Sequence, residues 1–295
     1  MFLTLLERSW SLAQHNIGTL FRTGWAYVLL LAAVNAAIGA TFSPSAGFST
    51  VSYMTEPVDA VDKGGLRLLA VLVNALLGFS IAIAYVRRIL IDAHDFPLSI
   101  GKRTLNVILN QILLSLIGIA ALVPLIIIAL LLAAVTGGIG LFFLFAAPFI
   151  SLMVVQKFSV ILPAAAVDDP LTLKESWRAT SGLGWAMAFA ALVMSLLAGC
   201  LIGLWMLVLQ AFNAVLPADP VMIQVGSALF PTGLILIGVW IFASLHATFY
   251  GLIRERFAAR LGLTQTDYKT ADARRLQARE KAEKALARVR RLRKP

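Results

Sequence analysis

Six uninterrupted apolar stretches, at 23–42, 66–86, 105–135, 141–162, 185–212 and 221–253, are each long enough to cross the hydrocarbon core of a bilayer. A crossing helix needs about 20 apolar residues, because its backbone N–H and C=O groups must find partners within the segment where no water is present. A water-soluble domain could not bury so much apolar surface: of 295 residues, 60% are hydrophobic and 14% charged, and the mean hydropathy is +0.87. The expected fold class is an all-α integral membrane protein with six transmembrane helices. Soluble enzymes and disordered chains are excluded, and the single cysteine, Cys200, excludes a disulfide scaffold. The third and sixth stretches exceed one straight crossing and contain Pro124 and Pro231. Each proline predicts a kink, or in the sixth stretch a short outer segment ahead of a span starting near Thr232.

Lys and Arg collect on the cytoplasmic side of a membrane protein, and here they alternate cleanly between loops. With both termini cytoplasmic, 23 of the 25 basic residues fall inside. Only Lys63 and Arg67 fall outside, where Glu56, Asp59, Asp62 and Asp219 also lie. The first apolar run begins behind a long leader, and Ile38-Gly39-Ala40 is a poor cleavage pattern, so the leader is expected to be retained.

Three regions follow. Residues 1–22 form an amphipathic interfacial helix, with Leu6, Trp10, Ala13, Ile17 and Leu20 opposite Glu7, Arg8, Gln14 and Asn16. It serves either as a docking or sensing helix or as a topological anchor. Residues 23–253 form the transmembrane domain. Residues 254–295 form a basic cytoplasmic tail that contributes +9 of the net +10. Arg279, Glu280, Glu283 and Lys284 support a basic C-terminal helix there, with a thin apolar stripe at Ala282, Ala285, Leu286, Val289 and Leu292. Each basic group near a membrane surface contributes roughly 1 kcal/mol toward anionic lipid. A protein partner is the other occupant expected of the tail. No aromatic residue follows Tyr268, so base stacking, and with it specific nucleic-acid binding, is not expected.

Two inner loops look alike, Asp95-Phe96-Pro97-Leu98 and Asp169-Pro170-Leu171-Thr172, and each reads as the start of a short cytoplasmic elbow helix. Asp169 would cap the second, with Pro170 early in the helix and Gly182 and Gly184 ending it. The stretch Lys157, Phe158, Pro163, Asp169, Leu171, Glu175, Ser176, Trp177, Arg178 and Thr180 resembles the signature of the membrane domain attached to some bacterial glycerophosphodiester phosphodiesterases, and of its stand-alone six-span relatives. The resemblance covers about thirty residues and implies a six-helix bundle in a bacterial cytoplasmic membrane, with the elbow facing the cytoplasm. It does not imply phosphodiesterase activity, which resides in a separate metal-binding domain. Lys157, Pro163, Ser176, Trp177 and Arg178 are the candidate lipid or partner contacts of this elbow.

The inventory for catalysis is poor. The three histidines, His15, His94 and His246, lack a second histidine at zinc-binding spacing. Asp92, His94 and Asp95 read as solvated loop charges, and Ser80 lacks the glycine that should follow a serine nucleophile. No cofactor or metal is expected. Every Asp and Glu falls in a loop, terminus or tail, so the buried carboxylate of a proton-coupled pump is missing. Asn106, Asn110 and Gln111 in the third span and Asn74 in the second are either helix glue or the lining of a polar groove. Small residues at Ala32, Ala36 and Ala40, and at Ala191, Ser195, Gly199 and Gly203, are expected to pack helices within the bundle. These features point to a non-enzymatic membrane protein with a structural or regulatory role in the envelope. A transporter or lipid-translocating protein is the alternative.

Overall fold

A computed structural model describes residues 1–42, 61–93, 101–136, 138–169, 171–215 and 220–260. Among them lie helices α1 (Phe2–His15), α2 (Ile17–Phe42), α3 (Val61–Ile91), α4 (Lys102–Thr136), α5 (Gly138–Phe158), α6 (Ile161–Ala166), α7 (Leu173–Ala179), α8 (Gly184–Val215) and α9 (Pro220–Arg260), and no strand. Six segments are long and apolar enough to cross a membrane: Ile17–Ile38, Leu68–Ile91, Lys102–Thr136, Gly140–Ala166, Gly184–Phe212 and Ala228–Arg256. Their outer faces are apolar. On α4, Leu105, Leu109, Ile112, Leu116 and Ile119 are all exposed, a contiguous row that lipid accommodates and water does not. The first of the two similar inner loops, 94–100, and the tail from 261 onward lie outside the described residues, so the first elbow and the basic C-terminal helix do too.

The chain forms two compact units, 1–250 and 251–295, and the architecture below is that of the first. Within it α9 holds the bundle together. Trp240 Nε1 donates to the Ala13 carbonyl of α1 at 2.8 Å, and the Ser244 and Tyr85 hydroxyls share a hydrogen bond of 3.0 Å between α9 and α3. Asn35 Nδ2 of α2 donates to Thr232 Oγ1 at 3.4 Å. Tyr27, Leu31, Leu77, Ile81 and Phe249 fill the spaces between these helices. In a bundle surrounded by hydrocarbon such polar ties have no water to compete with, yet typically contribute only about 0.6 kcal/mol each.

Glycine is required where α4 turns back into α5. The Ala133 backbone lies so close to Gly140 that no Cβ would fit. Pro124 and Pro231 both sit inside continuous helices, so the short outer segment envisaged before Thr232 does not exist as a separate piece. Pro148, inside α5, is a further intrahelical proline.

Three expectations need correction. The leader forms a helix, but α1 ends at His15 and buries Leu5, Ser9 and Ala13; of the expected stripe Ala13 and Leu20 are buried while Leu6 and Trp10 are only partly covered. It docks on the bundle, with Phe2 against Phe189 and Trp10 against Trp240. The buried Ser9 escaped the apolar pattern because it is polar. On α8 Met187, Ala191, Met194 and Ala198 are buried, whereas Ser195, Gly199 and Gly203 are exposed, so among the described residues only Ala191 of that expected stripe packs within the bundle. The larger, flexible methionines fill the contact instead. Lastly, the fourth apolar stretch is two helices. Pro163 has no N–H to offer the Ser159 carbonyl, and its ring excludes the regular turn, so the helix breaks at 159–160 between α5 and α6.

The Trp205 indole of α8 fills the space that a side chain at Gly233 of α9 would need. Gly233→Leu should therefore cost about 1–3 kcal/mol by overpacking. Gly203→Leu, where nothing lies within 4 Å, should be neutral. Thermal unfolding in detergent measures both, and equal melting temperatures for the two variants would contradict this packing.

Candidate functional site

The break at Pro163 leaves the Lys157 carbonyl without a helical donor, and the elbow supplies two. Ser176 Oγ donates to it at 2.8 Å and Thr180 Oγ1 at 3.2 Å, which pins α7 under the end of α5. Thr172, not Asp169, caps α7: its hydroxyl accepts from Glu175 N at 3.2 Å, while its own N–H donates to Glu175 Oε2 at 2.8 Å. This reciprocal pair is a capping box, which only a residue three positions ahead of the glutamate can form. The Thr172 N–H and hydroxyl hold the Glu175 carboxyl below its ordinary range. Gly182, with φ +76°, adopts the left-handed conformation just beyond the elbow. Lys157 Nζ sits 3.4 Å above the Trp177 ring, which also leans on Phe158 at 5.3 Å. Of the expected contact residues, Ser176 and Pro163 are buried and act inside the fold. Trp177 and Arg178 are exposed, and Lys157 is half-buried.

A second assembly joins α3, α4 and α6 and was not anticipated. α6 ends in a Schellman turn, with Asp169 N–H bonded to the Ala164 carbonyl at 2.9 Å and Asp168 N–H to the Ala165 carbonyl at 3.4 Å. The left-handed position of that turn, usually glycine, is Asp168, with φ +60°. Its carboxylate accepts from Arg103 Nε at 2.9 Å, from Arg103 Nη2 at 2.5 Å and from Arg87 Nη1 at 3.1 Å. Arg87 Nη1 also donates to the Ala166 carbonyl at 3.0 Å, and Asp169 accepts from the Tyr250 hydroxyl at 2.9 Å. Burial pushes the Asp168 carboxyl up, but the Arg103 hydrogen bonds and the charges of Arg103 and Arg87 outweigh it and hold the carboxyl below its ordinary value.

Beneath this clasp a cavity of about 610 Å³ opens between α3, α4, α6 and α9. It holds roughly twenty water volumes of about 30 Å³ and falls within the usual range of small-molecule sites. Its wall is apolar except for Asn74, Gln111 and His246, and Leu162, Pro163 and Ala166 of α6 form part of its lining. The expected polar groove is thereby divided. Asn74 and Gln111 line the cavity, while Asn106 is exposed on the outer face of α4 and Asn110 is absent from the lining. Asn74 Nδ2 also donates to Asn35 Oδ1 at 2.9 Å, so the Asn35, Asn74 and Thr232 side chains form one chain of hydrogen bonds. At 1.5 Å per residue this chain lies about 20 Å along α3 from Arg87, toward the opposite end of the spans. Asn74 thus serves both as helix glue and as lining.

Among the described residues no cluster of His, Cys, Asp and Glu could hold a metal ion, and Asp92 pairs with Arg88 at 3.1 Å. Ser80 donates to the Leu76 carbonyl of its own helix at 2.8 Å. Arg87 and Arg103 had been assigned only to topology, because partners 81 and 65 residues away leave no local pattern. The one usable signal was an aspartate directly after the Ala-rich end of a short helix. Compared with known protein families, characterised proteins and solved structures, the chain matches none.

The clasp gives a signed pH dependence. A carboxyl held below its unfolded value of about 3.9 contributes stability that is complete above that value and is lost as pH falls through the folded value. Asp168→Asn should melt below the wild type at pH 7, and the two curves should converge on acidification below pH ~4. A constant difference across that range would remove the ion pair from the account.

Proposed function

We propose that this chain is a non-enzymatic multi-pass protein of the bacterial cytoplasmic membrane that binds one amphipathic lipid and serves a structural or regulatory role in the envelope. The observation that carries the reading is the apolar cavity of about 610 Å³, which opens among helices that are themselves embedded in lipid. Three polar groups in such a wall can orient a ligand without hydrating the space. A conducting path requires polar lining along its length, and here the polar groups are few and separated by apolar wall, which favours holding over translocation. The resemblance of 157–180 to the membrane domain of glycerophosphodiester phosphodiesterases accords with this and suggests kinship without the hydrolytic chemistry. With the clasp and elbow at the cytoplasmic face, exposed Trp177 and Arg178 meet anionic headgroups, and α1 anchors at the same interface. The tail beyond 260 is then the segment available to a protein partner.

A side chain placed in the cavity should compete with the ligand. At Gly238, which lines the cavity, a Cβ meets nothing within 4 Å, so Gly238→Phe fills the space without distorting its neighbours. Wild-type protein in uncharged detergent should bind an uncharged, fluorescently labelled long-chain alcohol saturably. Gly238→Phe should weaken that binding at least tenfold, about 1.4 kcal/mol, with an unchanged melting temperature. Undiminished binding in the filled variant, or none in the wild type, would remove the cavity from the function.

A further inference from the structure

Resting on the lipid-binding reading and deepening it, we infer that the cavity takes an uncharged single-chain amphiphile whose head carries a hydroxyl group. The His246 imidazole and the Gln111 amide are the hydrogen-bonding seats for that head. Its chain runs from there along α9 toward Ile235.

Two side chains on the cavity wall are left open. Gln111 of α4 and His246 of α9 both line it, and among the described residues neither side chain has a hydrogen-bond partner. A polar side chain facing apolar surface forfeits the bonds that water would give it, so such groups are ordinarily satisfied by protein or by a bound molecule. Elsewhere in the bundle that rule is kept, with Asn35 bonded to Thr232 and Tyr85 to Ser244. Asn74, the third polar lining residue, is already committed: its Nδ2 donates to Asn35 Oδ1 at 2.9 Å, and its Oδ1 is enclosed by protein. What remains for a ligand comes from two different helices and opens on one space.

Charge decides the class of head. The described residues that line the cavity include no Lys, Arg, Asp or Glu. A phosphate, carboxylate or ammonium head would enter without a carboxylate, guanidinium or ammonium partner, and an unpaired charge in apolar surroundings is far costlier than an unpaired dipole. The groups on offer complement a hydroxyl instead. A primary amide brings two N–H donors and a carbonyl acceptor, and a neutral imidazole brings one donor and one acceptor. A hydroxyl donates and accepts at once, so it bonds to either.

Shape decides where the chain goes. Along α9 the lining extends from Ile235 to His246, about 17 Å at 1.5 Å per residue. His246 lies two residues past Ser244, whose hydroxyl meets that of Tyr85, so it stands at the Arg87 end of α3. At the other end the wall is made by Val71, Ala75 and Ile235. A head at His246 therefore leaves apolar wall for its chain over most of the length, in a volume of about 610 Å³ that suits one small ligand.

The test displaces the fluorescent long-chain alcohol from the full chain in uncharged detergent, using dodecanol, its methyl ether and dodecyl phosphate as competitors. The ether keeps the chain and an acceptor oxygen but has no proton to donate. Wild-type protein should bind dodecanol about fivefold more tightly than the ether, the worth of one hydrogen bond, and more tightly than the phosphate. His246→Leu and Gln111→Leu should each weaken dodecanol and narrow its lead over the ether, an effect that altered packing alone would not produce. Equal affinities for alcohol and ether in the wild type, both lost in Gly238→Phe, would overturn the head seat while leaving the cavity reading intact. An unchanged lead in both folded leucine variants would overturn the seat as well, and should neither variant fold, the wild-type comparison of alcohol with ether decides. Dodecyl phosphate binding more tightly than dodecanol would overturn the uncharged class. No binding of the fluorescent alcohol to the wild type would overturn both readings.

Discussion

The helix break ahead of Pro163 is the constraint from which the basic end of this molecule is built. Had the fourth crossing continued as one straight helix, the Lys157 carbonyl would have remained inside a helical ladder. The proline ring excludes the regular turn and its missing N–H leaves the Ser159 carbonyl to Leu162, while the Lys157 carbonyl at the end of α5 accepts from Ser176 and Thr180, which fixes the elbow α7 in place. The same break turns α6 into the space between α3 and α4. Its end then carries Asp168 to Arg87 and Arg103, and its side chains become lining for the cavity. The break thus positions the elbow, the clasp and part of the cavity wall.

The bundle shows how polar groups are used when lipid is the solvent. Asn35, Asn74 and Thr232 are linked by hydrogen bonds toward the end of the spans away from Arg87, with Asn74 Oδ1 left unpartnered, and the Tyr85 and Ser244 hydroxyls pair nearer Arg87. An unpaired amide in hydrocarbon is costly, so such groups are gathered into chains instead of being scattered. At the charged end the logic changes. There the arginines reach partly into water, and an ion pair with a half-exposed carboxylate is exchangeable in a way that a buried amide chain is not.

The elbow illustrates the limit of local reading. Asp169-Pro170 has the composition of a helix start, yet the helix begins at Leu173, because Thr172 and Glu175 form a reciprocal cap that outcompetes a lone aspartate. That signal was present in the sequence as Thr-x-x-Glu and was overshadowed by the proline. The leader differs in another way: Leu5 and the polar Ser9 are covered more fully than the expected Leu6 and Trp10, and only the neighbouring helix reveals which face is covered. The small residues of α8 erred for the same reason, since spacing defines a face but not what lies against it.

What the sequence by itself determined is the solvent and the count: apolar runs of crossing length exist in six places, and the cost of an unpaired backbone in hydrocarbon makes each a helix. Tertiary structure alone decided which helices face one another, and therefore that Asn74 and Gln111 share a cavity while Asn106 and Asn110 do not. It also decided that Asp168 meets two arginines 65 and 81 residues away. Hydropathy is a property of each segment, whereas a cavity or an ion pair is a property of the spaces between segments, and those spaces are set by packing across the whole bundle.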